Sequence, residues 1–160
     1  MGFFDRIRQA REAEQLKQDL DRNNQNKLRE LEPQLRHNVQ EWTKIAVQRA
    51  TARVQTKGST KLQFLFKQID ANEQLMESES LRICEEAILS GFEHGFYERG
   101  FQLEQISVLY NEITYLFQQI GITDNDIVEE YKAAMYELYQ LGYGFGDENH
   151  LQNFFVMKRY

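Results

Sequence analysis

The aromatic residues of this chain are concentrated in its last hundred positions, and this distribution constrains where a hydrophobic core can form. Phe3, Phe4 and Trp42 are the three aromatic residues among the first sixty positions, and seventeen more follow. Charge divides at the same place. Residues 1–60 hold twelve Lys and Arg against eight Asp and Glu, a balance of +4, while residues 61–160 hold seven against seventeen, a balance of −10. We therefore predict two domains, an amphipathic helical arm at 1–60 and an acidic, aromatic-rich helical bundle at 61–160.

Composition favours an all-α fold for both parts. The chain contains a single proline, Pro33, and is rich in Gln, Glu, Leu, Lys and Arg, which are good helix formers. The lone Cys84 excludes an intramolecular disulfide framework, and its apolar neighbours Ile83 and Ile88 predict a buried, inert thiol. Charged residues interrupt the first apolar positions before a secretory signal can form, and no apolar stretch approaches the roughly twenty residues that span a bilayer. We expect a cytoplasmic protein.

The arm is predicted to consist of two helices. The first covers residues 3–22, with a thin apolar stripe, and a group of three asparagines from Asn23 to Asn26 is expected to end it. Pro33 is placed in the first turn of the second helix, where its missing N–H is tolerated. This helix reaches about Gln55 and Gly58 ends it. Its stripe contains Leu35, Val39, Trp42, Ala46, Ala50 and Val54.

Four further helices are predicted between residues 61 and 141. Residues 61–70 fit a strand or a helix equally well, and we favour a helix because no second strand is evident to pair with it. A helix follows at 72–99. The next, Leu103 to Ile120, has apolar residues at alternating spacings of three and four, which is typical of a helix packed along a bundle seam. Thr123 or Asp124 is then expected to cap a helix that runs to Leu141.

Two glycine-containing segments stand out. Gly91 and Gly95 lie four residues apart on one helix face, which predicts close packing of another helix backbone inside the bundle. The segment Gly142-Tyr143-Gly144-Phe145-Gly146 predicts a loop whose two aromatic residues are either exposed for recognition or folded back onto the core. Asp147 is expected to cap a short final helix that carries Leu151, Phe154, Phe155 and Met157.

The acidic residues and histidines do not form a recognisable catalytic or metal-binding motif. One predicted helix carries Glu85, Glu86, Glu93, His94 and Glu98, but Glu93 and His94 are adjacent and point about 100° apart. A carboxylate-bridged metal site needs Glu-x-x-His motifs from paired helices instead. We interpret this group as a solvated acidic face, without metal or cofactor. No nucleophile or phosphate-loop motif is present, and we do not expect an enzyme.

The sequence therefore favours a non-catalytic assembly or adaptor protein, which docks on other protein chains or on a second copy of itself. The expected contact residues are Phe3, Phe4, Ile7, Leu35 and Trp42 in the arm, with Tyr143 and Phe145 in the body. One alternative is a peripheral membrane protein attached by its amphipathic N-terminal helix. A less favoured alternative is a nucleic-acid-associated subunit that uses the basic residues of the helix at 29–61, namely Arg29, Arg36, Lys44, Arg49, Arg53, Lys57 and Lys61.

Overall fold

The computed structural model describes residues 2–150, and all of the regular structure in this range is α-helical. The prediction of an all-α fold built around a helical bundle is confirmed. The helices of residues 2–150 are α1 (Phe3–Lys57), α2 (Ser59–Ala71), α3 (Glu73–Phe96), α4 (Leu103–Gln119) and α5 (Asn125–Asn149).

Helix α1 is continuous over 55 residues, so the two predicted arm helices are one. The helix does not break at Asn23, and Pro33 lies inside it instead of in its first turn. Asn costs no more than about 0.7 kcal/mol relative to Ala inside a helix, and Pro about 3 kcal/mol. The long run of Gln, Leu, Lys, Arg and Glu on either side offsets both costs. Arg36, one turn after the proline, forms an ion pair with Glu32.

Helix α2 confirms the choice of helix over strand for residues 61–70. Gly58 separates it from α1 with a φ of 144°, a value that side-chain-bearing residues rarely adopt. Leu65 is fully buried, whereas Phe64 and Phe66 are exposed. Leu62, Phe64 and Phe66 alternate in the sequence as the residues of a half-buried strand do, but the exposure of Phe64 and Phe66 shows that they do not form a buried face.

Helices α3 and α5 pack backbone against backbone through four glycines. A β-carbon built on any of them would lie 2.0–2.2 Å from a carbonyl oxygen of the facing helix: Gly91 and Gly95 on α3, Gly142 and Gly146 on α5. Close packing at Gly91 and Gly95 is thus confirmed. The predicted loop at 142–146 is wrong, because α5 continues through it to Asn149. Asp147 consequently lies within α5, and the predicted final helix beyond it falls outside the described residues.

Helix α4 confirms most of the predicted seam, in which Tyr110 is half-buried and Leu103 is exposed. Ile106, Ile113 and Phe117 are buried, as is Ile120 just after the helix. Leu103, however, is 70% exposed at the first position of the helix. Beyond α4, the Asp124 carboxylate accepts a hydrogen bond of 2.9 Å from the backbone N–H of Asp126, and so caps α5 as expected.

The structure divides into two compact units. One contains the described residues up to Arg36 together with His150, and the other is His37–Asn149. Helix α1 contributes to both units. Its residues Ala46, Ala50 and Val54 are fully buried within the second unit. The division into an arm at 1–60 and a bundle at 61–160 stays a prediction, because two compact units in a structure do not show which part of the chain folds on its own.

Candidate functional site

Phe3 and Phe4, two of the predicted contact residues, are strongly exposed in the first turn of α1. Their side chains are 71% and 81% exposed, and the two rings meet edge to face with centroids 5.8 Å apart. Ile7, one turn further, and Leu35 are half-buried. The start of α1 therefore presents two large aromatic side chains to solvent next to Asp5, which pairs with Arg8.

The other predicted contact residues, Trp42, Tyr143 and Phe145, are half-buried in aromatic clusters of the second unit. The Phe145 ring lies 6.0 Å from that of Trp42 and 5.7 Å from that of Phe92, between centroids. Tyr143 packs edge to face on Phe101 at 5.4 Å. The sequence left open whether these two aromatic residues are exposed for recognition or folded back onto the core. Their ring contacts agree better with packing onto the core. A role for them in partner binding stays a prediction.

A row of ion pairs connects the C-terminal part of α1 and the start of α2 with the acidic side of α5. Two of the contacts, Arg49 with Glu137 and Arg53 with Glu130, join α1 directly to α5. Lys57 adds a second cation to Glu130, at 2.8 Å, and the side chain of Glu130 is only 14% exposed. Hydrogen bonds from Lys57 and Arg53 lower the pKa of the Glu130 carboxyl.

The row continues at the N-terminal end of α5. The Lys61 ammonium lies 2.5 Å from the Asp124 carboxylate and 3.1 Å from that of Asp126. The hydrogen bond from Lys61 lowers the pKa of Asp124. The positions pair in opposite chain order, so this part of α1 runs antiparallel to α5. Among the basic residues of the nucleic-acid alternative, Arg49, Arg53, Lys57 and Lys61 are therefore neutralised within the molecule.

A buried tyrosine connects α3, α5 and the turn before α4. The backbone N–H of Gln102 donates a hydrogen bond of 3.0 Å to the Tyr139 hydroxyl, which lies 2.6 Å from His94 Nδ1. A neutral His94 that carries its proton on Nε2 can accept a hydrogen bond from the Tyr139 hydroxyl at Nδ1. Burial lowers the pKa of His94, which favours this neutral form.

Acidic residues of α3 form ion pairs with nearby arginines. Glu93 pairs with Arg99 at 2.9 Å, and Glu86 with Arg82 at 3.3 Å. Within residues 2–150, no three His, Cys, Asp or Glu side chains converge as metal ligands. Cys84 is buried as predicted, and burial raises the pKa of its thiol to about 12, which keeps the thiolate population negligible at neutral pH.

The sequence did not indicate a cleft of about 450 Å³ that lies between α2 and the rest of the second unit. All of α1–α5 contribute to its walls. Most of the lining is apolar and includes Val47, Phe66, Ile69, Met76, Phe117 and Met135. Cys84, Ser80, Thr51 and Tyr131 also line the cleft, and Glu73 and Glu77 lie at its edge. Its size falls in the range of small-molecule sites, about 300–1,000 Å³.

Within residues 2–150, no helix combines the length and the apolar composition needed to cross a membrane.

Comparisons of the chain with protein-family models, with curated proteins and with solved structures found no match.

Proposed function

We propose that this protein is a non-catalytic assembly or adaptor subunit that binds another protein chain through the first turns of α1. The observation that carries the proposal is the exposure of Phe3 and Phe4, side by side on a helix whose residues up to Arg36 belong to a different compact unit from the bundle. Large exposed aromatic side chains in neighbouring positions are typical of protein interaction surfaces.

The energy available from these two side chains is sufficient to determine a binding preference. Burying a Phe side chain fully is worth about 1.5–3 kcal/mol, so the pair can contribute about 3–6 kcal/mol. Each 1.4 kcal/mol corresponds to a factor of ten in affinity, and loss of both rings therefore lowers affinity by about a hundredfold or more. Ile7, one turn further, extends the apolar contact.

The ion pairs of α1 support a protein partner over a nucleic acid. Cations that contact phosphates must be available to replace counterions. Arg49, Arg53 and Lys57 are each engaged by a carboxylate of α5. Binding of nucleic acid along this face would first require separation of these pairs.

Affinity purification with quantitative mass spectrometry tests the proposal on the full chain. The variant Phe3→Glu/Phe4→Glu is expected to lose a set of proteins that the wild type retains. The matched control is Leu103→Glu/Tyr115→Glu, which changes two exposed apolar residues on α4 and should retain the same set. Light scattering after size exclusion then reports whether a second copy of the chain is among the partners. Identical protein sets and identical masses for all three chains would contradict the proposal.

A peripheral membrane protein is the second candidate, and the same exposed pair favours it. Phe side chains on a helix that also carries cationic residues can insert at a lipid interface, and Arg6, two positions after Phe4, is exposed. The ion pairs of Arg8 with Asp5 and of Arg22 with Asp19 reduce the positive charge of this segment. Flotation with vesicles of phosphatidylcholine and phosphatidylserine distinguishes the candidates. Wild-type binding that Phe3→Glu/Phe4→Glu abolishes would favour the membrane, and absence of binding would reject it.

A further inference from the structure

The cleft between α2 and the rest of the second unit contains the features of a ligand site. The cleft has a volume of about 450 Å³ and mostly apolar walls, which match the size and the lining of small-molecule sites. All of its lining residues lie between Val47 and Met135, within the second unit. We propose that this cleft binds a small amphiphile with an apolar body and a cationic, ammonium-type head group.

The apolar body of the ligand follows from the state of the hydroxyl groups in the wall. The Thr51 hydroxyl donates to the Val47 carbonyl at 2.8 Å and also lies 2.8 Å from the Tyr131 hydroxyl. The Ser80 hydroxyl donates to the Met76 carbonyl. These three hydroxyls already have partners within the protein, so the remaining wall offers mainly apolar surface. A ligand gains affinity here by burying hydrocarbon.

The methionines in the wall suit a flexible occupant. Met76 and Met135 come from α3 and α5, and their unbranched side chains adapt to irregular apolar shapes. Phe66, on α2, is 47% exposed at the same cleft and can cover a bound chain by a change of rotamer. Cys84 contributes apolar surface, because its buried thiol is protonated.

The charge of the head group follows from Glu73 and Glu77. The two residues are one helical turn apart on α3, both line the cleft and both are exposed, so their carboxylates lie at its edge. Within the described part of the chain, neither forms an ion pair. Two like charges at this edge attract a cation and repel a carboxylate, and an aliphatic amine is therefore favoured over a fatty acid of the same length.

Binding to the full chain can be measured with N-phenyl-1-naphthylamine, a neutral apolar fluorophore, as the probe. Decylamine and decanoate, both below their critical micelle concentrations, serve as competitors. We expect the probe to bind at micromolar concentrations and decylamine to displace it at about one tenth of the decanoate concentration or less. In the variant Glu73→Gln/Glu77→Gln this preference should disappear. The control Glu85→Gln/Glu104→Gln removes the same charge from exposed positions that do not line the cleft and should keep it.

The location of the ligand can be tested with the signals of the methionine methyl groups and with a matched pair of variants. In a spectrum of the chain labelled with ¹³C at the methionine methyl groups, decylamine should shift the Met76 and Met135 signals. Ser80→Phe places a ring in the cleft and should weaken decylamine binding by about tenfold or more. Ser78→Phe makes the same change at an exposed position of α3 and should bind as the wild type does.

Three outcomes would overturn the proposal: absence of probe and decylamine binding, decanoate binding as tightly as decylamine, or unchanged Met76 and Met135 signals in the presence of bound decylamine. The methionine spectrum needs no substitution, so it decides the location even if Ser80→Phe fails to fold. None of these measurements involves Phe3 or Phe4, and their results are therefore independent of the proposed adaptor function.

Discussion

Gly91 lies against the backbone of Tyr139 so closely that a β-carbon on Gly91 would be 2.1 Å from the Tyr139 carbonyl oxygen. Gly95, one turn later, has the same relationship with Tyr143 at 2.2 Å. Because the contacts advance in the same direction along both helices, α3 and α5 run parallel. Helix α4 lies between them in the chain. This contact between α3 and α5 is therefore made by main-chain atoms and depends on the absence of four side chains.

Alanine at these glycines should destabilise the fold. Gly91→Ala or Gly142→Ala forces α3 and α5 apart, and overpacking of this kind typically costs about 1–3 kcal/mol or more. Gly144→Ala is the matched control, since it lies in the same helix with no atom within 4 Å of its β-carbon position. Replacing a helical glycine by alanine there should stabilise the protein by about 0.5–1 kcal/mol. Urea unfolding of the three variants measures both effects, and a loss of stability in Gly144→Ala would contradict this account of α5.

Stability should depend on pH through His94. Burial places the pKa of folded His94 below its unfolded value of about 6.5, so between these two values the unfolded chain binds more protons. The free energy of unfolding should consequently fall as pH decreases from about 7 through this window, and level off below the folded pKa. His94→Asn keeps an acceptor for Tyr139 without titrating and should remove this part of the pH dependence.

Glu130 should contribute more to stability than its neighbour Glu129. Glu130→Gln leaves Arg53 and Lys57 without their shared carboxylate, and hydrogen bonds between charged groups are worth about 1.5–3 kcal/mol. Glu129 is 60% exposed and forms an ion pair of 3.3 Å with Lys132, so Glu129→Gln should cost less than about 0.5 kcal/mol. Thermal unfolding at pH 7 compares the two. Since the pKa of Glu130 is lowered in the fold, the difference between the variants should shrink as pH falls below about 4.5. Equal costs at pH 7 would show that the pairs to α1 are not stabilising.

Glu112 is expected to oppose folding at neutral pH. Burial raises the pKa of its carboxyl, and the nearby Glu86 carboxylate adds to the effect. A raised folded pKa means that stability is greatest at low pH and is lost as pH rises from about 4.5 through the folded value. Glu112→Gln keeps the shape without the charge and should raise the melting temperature at pH 7. Glu104→Gln, at the exposed start of α4, should not. A melting temperature lowered by Glu112→Gln would instead favour its ion pair with Arg82, which spans 3.7 Å.

The parts of the fold that sequence reasoning predicted are those determined by local periodicity. The alternating spacings from Leu103 to Ile120 predicted α4 because they place an apolar stripe on one helical face, and Ile106, Ile113 and Phe117 of that stripe are buried. The helix at 61–70 followed from the absence of a second strand. The Asp124 cap was predicted from a polar residue placed before an apolar helical pattern.

Most of the features that were missed depend on residues far apart in the chain. Asparagine and glycine were interpreted as ends of helices, but at Asn23 the helix-forming neighbours prevail, and at Gly142 the facing backbone of Ile88 requires glycine. The pairing of Arg53 with Glu130 spans 77 positions. Its only trace in the sequence is the opposite charge of the two halves. The cleft needs all five helices in place, so no single segment could predict it.

The parallel contact between α3 and α5 also provides a fingerprint for recognising related chains. Any sequence that adopts this arrangement has to place two very small residues four positions apart, and then repeat that spacing on a second helix, as Gly91/Gly95 and Gly142/Gly146 do here. A pattern search restricted to helical chains with this doubled spacing can detect relatives whose overall identity is too low for alignment. Surface residues change quickly in evolution, but a backbone-to-backbone contact admits few substitutions.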